Sequence, residues 1–170
     1  MKLNFERFNE TDFDEVFKME SNKEVMKYTG PGRVQSIEES RERFSKLLKL
    51  VEDPVLGYWA VFDSNKFVAW LMLLDTFGED EVEIGYMVKR DLWGRGYATE
   101  IVKESIRKLL RYKTKFKMKA TVDRDNIASI RIFKTLEFAS IQRDGLYLFE
   151  KNFFCSKSFR TKEIIVCDNS

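Results

Sequence analysis

The residues with the clearest chemical potential lie between Val82 and Thr99. Val82-Glu83-Ile84-Gly85-Tyr86-Met87-Val88 reads as a strand, Lys89-Arg90-Asp91-Leu92-Trp93 follows, and Gly94-Arg95-Gly96-Tyr97-Ala98-Thr99 leads into an amphipathic helix. A helix opened this way has first-turn N–H groups with no intrahelical acceptor, and the positive end of its macrodipole adds to them. That arrangement suits a phosphate or pyrophosphate. Glycine at 94 and 96 permits close approach of a bulky anion and backbone angles closed to other residues. A lone GxG is usually a turn; the signal here comes from its context of strand, loop and helix. The GxGxxG dinucleotide fingerprint fails because position 99 is Thr, and there is no Walker A sequence. The chain contains no histidine. The commonest general base, the Ser–His and Cys–His nucleophile systems and most zinc sites are therefore excluded. Acid–base chemistry falls to Glu, Asp, Tyr, Lys, Cys, Ser or water, and no metal site is expected.

The surrounding elements are those of an α/β chain. Lys2 to Phe8 sets Leu3 and Phe5 against charged residues and predicts a strand. Thr11 with Asp14 reads as a capping-box start for a helix carrying Phe13, Val16 and Phe17 on one face. Thr29-Gly30-Pro31-Gly32 is a break, and Ser36 with Glu39 is a second capping box before Phe44, Leu47, Leu48 and Val51. Tyr58 to Phe77 is rich in aromatic and β-branched residues, interrupted at Asp63-Ser64-Asn65-Lys66 as a hairpin turn would interrupt it. Gly78-Glu79-Asp80 makes a further turn. Beyond Thr99, Ile101, Val102, Ile106, Leu109 and Leu110 share one helical side, and Glu104–Lys108 has the favourable i,i+4 order. Phe116, Met118, Ala120 and Val122 alternate with lysines as a strand. A helix runs from Asn126 to Leu136, capped by Asp125 or Asn126, and the tail from Gly145 to Val166 reads as two strands. The expected order is β-α-α-β-β-β-α-β-α-β-β: a central mixed, mostly antiparallel sheet of about seven strands flanked by helices, in one domain over residues 1–170.

Composition narrows the function classes. Hydrophobic residues make up 44% and charged residues 34% of the 170 residues, so a packed core is expected. A formal net charge of +2 excludes electrostatic nucleic-acid binding by the protein as a whole. With no signal-peptide h-region at Met1 and no apolar run of membrane-spanning length, the expectation is a cytoplasmic protein without a membrane partner. Cys155 and Cys167 are then expected as thiols.

The Val82–Thr99 run resembles motif A of the GNAT superfamily of acetyl-CoA-dependent N-acetyltransferases. Glu83-Ile84-Gly85-Tyr86 with Trp93-Gly94-Arg95-Gly96-Tyr97-Ala98 is similar to the ribosomal-protein N-acetyltransferase branch. Asn126-Ile127-Ala128-Ser129-Ile130-Arg131 with Leu136-Glu137-Phe138 resembles that branch's second coenzyme A motif, and Glu24-Val25-Met26-Lys27-Tyr28 is also typical of it. Three positions depart from the family. Asp91 stands where Gln or Arg is frequent, Glu137 replaces the usual Gly before the aromatic, and Phe133 replaces the Tyr that many members use as general acid.

The resemblance implies acetyl-CoA as co-substrate, with no metal. It places the pantetheine amides on the main chain of Met87 and Val88, with Lys89 beside them, and the pyrophosphate on the N–H groups of Gly94, Arg95, Gly96, Tyr97, Ala98 and Thr99. Arg95 or Arg90 adds charge, or both are solvated, and Asn126 holds the cofactor arm. The implied reaction is direct attack of a primary amine on the thioester, the acceptor being a protein N-terminus, a polyamine, an aminoglycoside or another small amine. At pH 7, deprotonating a lysine-like amine costs about 4.6 kcal/mol and an α-amine about 1.4 kcal/mol. A base or water relay is needed, and Glu83 is the first candidate, with Tyr86 a weaker one; Ser129 is the candidate acid for the leaving thiolate. Each has a plain structural alternative: a surface or structural Glu in a strand, a core Tyr, a small residue packed against the cofactor. Glu79, Asp80, Glu81 and Glu83 form either an acidic rim for a cationic acceptor or a solvated turn. The basic residues from Lys103 to Lys119 either favour an acidic ligand or are outward faces. Family members are often dimers, so a homodimer is one expected assembly. Two competing readings are a catalytically weak or inactive acyl-CoA-binding or sensing module, and a different nucleotide binder.

Overall fold

The protein is described by a computed structural model covering residues 1–49, 53–76, 78 and 80–155. Its strands are β1 (Leu3–Arg7), β2 (Gly57–Asp63), β3 (Lys66–Asp75), β4 (Glu81–Val88), β5 (Lys115–Asp123), β6 (Ala139–Arg143) and β7 (Leu146–Phe154). Its helices are α1 (Phe13–Glu20), α2 (Lys23–Met26), α3 (Ile37–Leu48), α4 (Tyr97–Tyr112) and α5 (Ile127–Thr135). The strands form a seven-stranded sheet in the order β1-β2-β3-β4-β5-β7-β6. The pair β4–β5 is parallel, while β1–β2, β2–β3, β5–β7 and β6–β7 are antiparallel. The chain divides into two compact units, one of residues 1–73 with 85–101 and one of residues 74–84 with those from 102 onward.

In the first unit, α1, α2 and α3 cover one face of the strands. Phe13, Val16, Met19, Val25, Met26 and Phe44 from the helices meet Ala60, Phe67, Trp70 and Met87 from the strands. The ring of Phe44 packs edge-on against Phe8 and Phe13, at centroid distances of 5.3 and 5.6 Å. Each large apolar side chain buried this way contributes roughly 1.5–3 kcal/mol. The start of α1 differs from expectation. The capping box is Asn9 with Asp12, not Thr11 with Asp14, because the Asn9 side-chain oxygen accepts from Thr11 N–H, the Asp12 carboxylate accepts from Asn9 N–H, and a short 3-10 turn precedes the helix. The Ser36–Glu39 box before α3 forms as expected. Val51, expected on that helix, lies outside the described residues. Helix α2 was not foreseen; the Asn22 side chain starts it by accepting from Glu24 and Val25 N–H.

In the second unit, Phe116, Met118, Ala120 and Val122 of β5 are all buried, as the alternation predicts. They share a core with Val102, Ile106 and Leu109 of α4 and with Phe133, Phe138, Phe149 and Phe153. The opposite face of β5 carries its lysines. Lys115 pairs with Asp80, while Lys117 and Lys119 both pair with Glu81. Asp80 and Glu81 of the acidic cluster are thus neutralised by Lys115, Lys117 and Lys119 of the basic one, while Glu83 is not; Glu79 lies outside the described residues. The tail also differs. Its hairpin is β6–β7, turning at Asp144-Gly145 with φ of 50° and 80°. All five residues of β6 are exposed, so no apolar alternation marks it. The second strand expected toward Val166 lies outside the described residues, as does Cys167, while Cys155 is an exposed free thiol.

Candidate active site

In the first unit, β4 delivers Met87 and Val88, both buried, to the turn before the glycine loop. The registered β4–β5 ladder couples only Glu81–Glu83 to Lys117–Lys119, so Met87 and Val88 lie past its end. On the other edge, Lys89 N–H donates to Val68 O at 3.0 Å. The turn is tied down by side chains. Trp93 Nε1 donates to Val88 O at 2.9 Å, and the Arg90 guanidinium lies over the Trp93 ring, 4.6 Å from its centroid.

Gly94 and Gly96 have φ of 75° and 86°, backbone angles that glycine permits and side chains disfavour. Among the described residues, a Cβ at either position would meet no atom within 4 Å, so the space over the loop is open to them. Glu100 N–H to Gly96 O, at 3.1 Å, opens the hydrogen-bonded spiral of α4. The N–H groups just before it lack intrahelical acceptors, as at any helix start. Backbone donors, a positive helix end and open space fit a pyrophosphate.

The side chains around this cradle differ in availability. The Tyr97 hydroxyl donates to Asp63 Oδ2 at 2.8 Å, anchoring the first residue of α4 to the end of β2. That carboxylate raises the phenol's pKa, with burial and its charge acting in the same direction. The Lys89 ammonium pairs with Glu15, so its N–H and its side chain are both committed within the unit. Arg90 is held by Glu24 through Nε at 2.6 Å and Nη2 at 3.2 Å. Arg95 is exposed and makes no ion pair among the described residues. Of the two arginines left open by sequence, Arg90 is committed to Glu24 and Arg95 is without an ion pair among the described residues. The roles of Asp63, Glu15 and Glu24 were not foreseen. Asp63 read only as part of a turn, and partners that lie far apart in sequence leave no periodic signal.

The second unit carries Glu83, Asn126 and Ser129. Glu83 is half-buried between the buried Val82 and Ile84. It makes no hydrogen bond or ion pair among the described residues, in contrast to Glu81, which takes Thr76, Lys117 and Lys119. Those partners, Lys119 foremost, hold the Glu81 carboxyl below its ordinary value. Asn126 is the N-cap of α5, its side-chain oxygen accepting from Ser129 N–H at 3.2 Å. Ser129 is half-buried in the first turn. Phe133 is 1% exposed and stands within an aromatic stack. At Glu137, φ is 58°, so this residue adopts the conformation that the family's usual glycine would take.

A family model described as an acetyltransferase (GNAT) domain matches residues 2–139. The chain belongs to the GNAT acetyltransferase family. Over 101 residues, 54% of its length, this GNAT chain is 31% identical to FsC-acetyl coenzyme A-N(2)-transacetylase of Aspergillus fumigatus. It covers 43% of that protein, less than half the relative's length. Among solved structures it is similar to a GNAT-family acetyltransferase from Bacillus anthracis, with a TM-score of 0.74, 19% identity and coverage of 91% of this chain and 95% of that one. It is also similar to RimL, a ribosomal L7/L12 alpha-N-protein acetyltransferase solved with coenzyme A. That match has a TM-score of 0.69, 16% identity and coverage of 89% and 94%. At these identities the two structures establish the fold, which matches the mixed seven-stranded sheet expected from sequence.

Proposed function

We propose that this GNAT chain is an acetyl-CoA-dependent N-acetyltransferase that moves an acetyl group to a primary amine by direct transfer. The observation that carries the reading is the Gly94–Thr99 cradle at the start of α4, with two glycines at positive φ and open space above them. Its N–H groups would hold the pyrophosphate, Arg95 would add charge, and the main chain of Met87 and Val88 would take the pantetheine amides as an added strand. The Asn126 side-chain oxygen caps α5, which leaves its amide NH2 to hold the cofactor arm. Bound acetyl-CoA supplies the thioester.

Glu83 would accept the proton of the attacking amine, directly or through water. Its support is a half-buried carboxylate without a partner among the described residues, in a chain without histidine. Ser129 would donate toward the leaving sulfur. Phe133 cannot donate a proton, so the Tyr-based route of other members is closed.

The test is release of coenzyme A thiol from acetyl-CoA across a panel of a peptide α-amine, a polyamine, an aminoglycoside and a lysine-like amine. Turnover with one class of acceptor is the expected result. Measurable coenzyme A binding with no release for any amine would establish the acyl-CoA-binding or sensing module instead. Competition by ATP or NAD but not by coenzyme A would overturn the cofactor. In an active enzyme, Glu83→Gln lowers kcat by on the order of 100-fold or more and shifts the pH–rate profile, leaving coenzyme A affinity unchanged. An unaltered profile removes Glu83 as base.

A further inference from the structure

The motif Glu24-Val25-Met26-Lys27-Tyr28 has no part in the scheme above, yet one of its residues reaches the turn before the glycine loop. Asn22 caps α2 and presents Glu24 in its first turn. The Glu24 carboxylate accepts from two nitrogens of Arg90, at 2.6 and 3.2 Å. The same guanidinium covers the Trp93 ring, and the Trp93 indole N–H donates to Val88 O. A continuous relay of contacts thus runs from Glu24 to Arg90, Trp93 and Val88, all within the first unit. It closes the turn between β4 and the loop onto itself and fastens it to α2.

The next residue is Gly94. With φ of 75° and no atom within 4 Å of a Cβ there, no side chain at 94 sets the loop's direction. The loop takes its starting direction from Trp93, which is itself 42% exposed and not held by a core. A cradle ordered before its ligand arrives loses less entropy on binding than one ordered by the ligand. An exposed ion pair alone contributes little. Here the pair is two-pronged and backed by an aromatic face, which adds geometric definition to charge.

We propose that Glu24, acting through Arg90 and Trp93, is a positioning residue for the phosphate loop; this rests on the reading of Gly94–Thr99 as the coenzyme A site. Arg90 is then a structural cation, and Arg95 is left as the phosphate-facing one.

The experiment compares the wild-type chain with Glu24→Gln, Arg90→Glu and the exchanged pair Glu24→Arg/Arg90→Glu, titrating each with coenzyme A by calorimetry and recording Tm alongside. Glu24→Gln weakens binding by between about 3- and 10-fold, the range an indirect coupling gives, and leaves kcat at saturating acetyl-CoA unchanged. The exchanged pair restores affinity relative to Arg90→Glu, and the gap between wild type and Glu24→Gln narrows as salt is raised. Glu42→Gln, which removes an exposed pair with Lys46 on α3, leaves affinity unaltered. A lower Tm with unchanged affinity in Glu24→Gln reduces the pair to a structural contact and overturns the role. Tighter binding, from an Arg90 freed to meet the phosphates, also overturns it. Failure of the wild type to bind coenzyme A removes the site reading and this role together, whereas wild-type binding with an unaffected variant removes this role alone.

Discussion

Phe133 stacks on Phe149 with ring centroids 5.2 Å apart and planes 24° from parallel. Phe138 packs edge-on against Phe133 at 5.1 Å. The ring at the position where many relatives carry a catalytic tyrosine is here a core element of the second unit. Phe133→Tyr therefore places a hydroxyl in an apolar stack and destabilises the protein by about 1–3 kcal/mol. Urea denaturation measures the loss. Acetyl transfer by the variant does not rise above wild type; a gain in kcat with intact stability would show that the position still serves a proton.

Glu137 sits just past α5 at φ 58°. Glu137 N–H donates to Lys134 O at 2.9 Å and Phe138 N–H to Phe133 O at 3.0 Å, the pair of bonds of a Schellman motif. Its ion pair with Lys151 is 3.5 Å long and its side chain is 80% exposed, so that contact offsets little. Glu137→Gly relieves a left-handed non-glycine residue and raises stability by about 0.5–1 kcal/mol. Glu137→Ala shows no such gain. The midpoint of thermal unfolding distinguishes the two.

Gly96 has φ 86° and open space where a Cβ would point. Among the described residues a Cβ at Gly96 would meet nothing within 4 Å, and the cost of Gly96→Val in the free protein is that of a side chain in the left-handed region, about 1–2 kcal/mol. The larger effect falls on the ligand, because the added side chain stands in the space over the cradle. Coenzyme A affinity drops by roughly 10-fold or more, a lost interaction of at least about 1.4 kcal/mol. Unchanged affinity in a titration would contradict the phosphate-loop assignment.

The carboxyl of Glu39 is lowered to about 2, chiefly by Arg33 and then by Ser36 N–H. A folded-state pKa below the ordinary value of 4.5 contributes stability that is complete above pH 4.5 and lost as pH falls toward 2. Glu39→Gln removes this contribution, so the acid limb of its stability curve is flatter than wild type over that interval. Chemical denaturation at several pH values between the two checks the slope. Equal slopes would show that the Arg33–Glu39 pair and the Ser36 contact do not hold the carboxylate in solution.

Local patterns were read correctly where one face of an element is buried. The alternation of Phe116, Met118, Ala120 and Val122, the apolar side of α4 and the Ser36–Glu39 box all appear as expected. Edge strand β6 was missed because every one of its residues is exposed, and α2 because Lys23–Met26 is too short to show a helical period. At the candidate site, the positive-φ glycines were legible from residue type and context. The commitment of Lys89 to Glu15, of Arg90 to Glu24 and of Tyr97 to Asp63 was not, since each partner is remote in sequence.

The sequence by itself determined most of the elements, the glycine loop that opens α4 and the exclusion of histidine chemistry, because these depend on residue type and on spacing within one strand, loop or helix. Only the tertiary structure decided which charges remain available. Glu81 and Glu83 are two residues apart on one strand, yet Glu81 lies against β5 lysines and is consumed, while Glu83 is left without a partner among the described residues. A charge becomes chemically available only when no opposite charge is folded against it, and long-range pairing is set by packing rather than by local pattern.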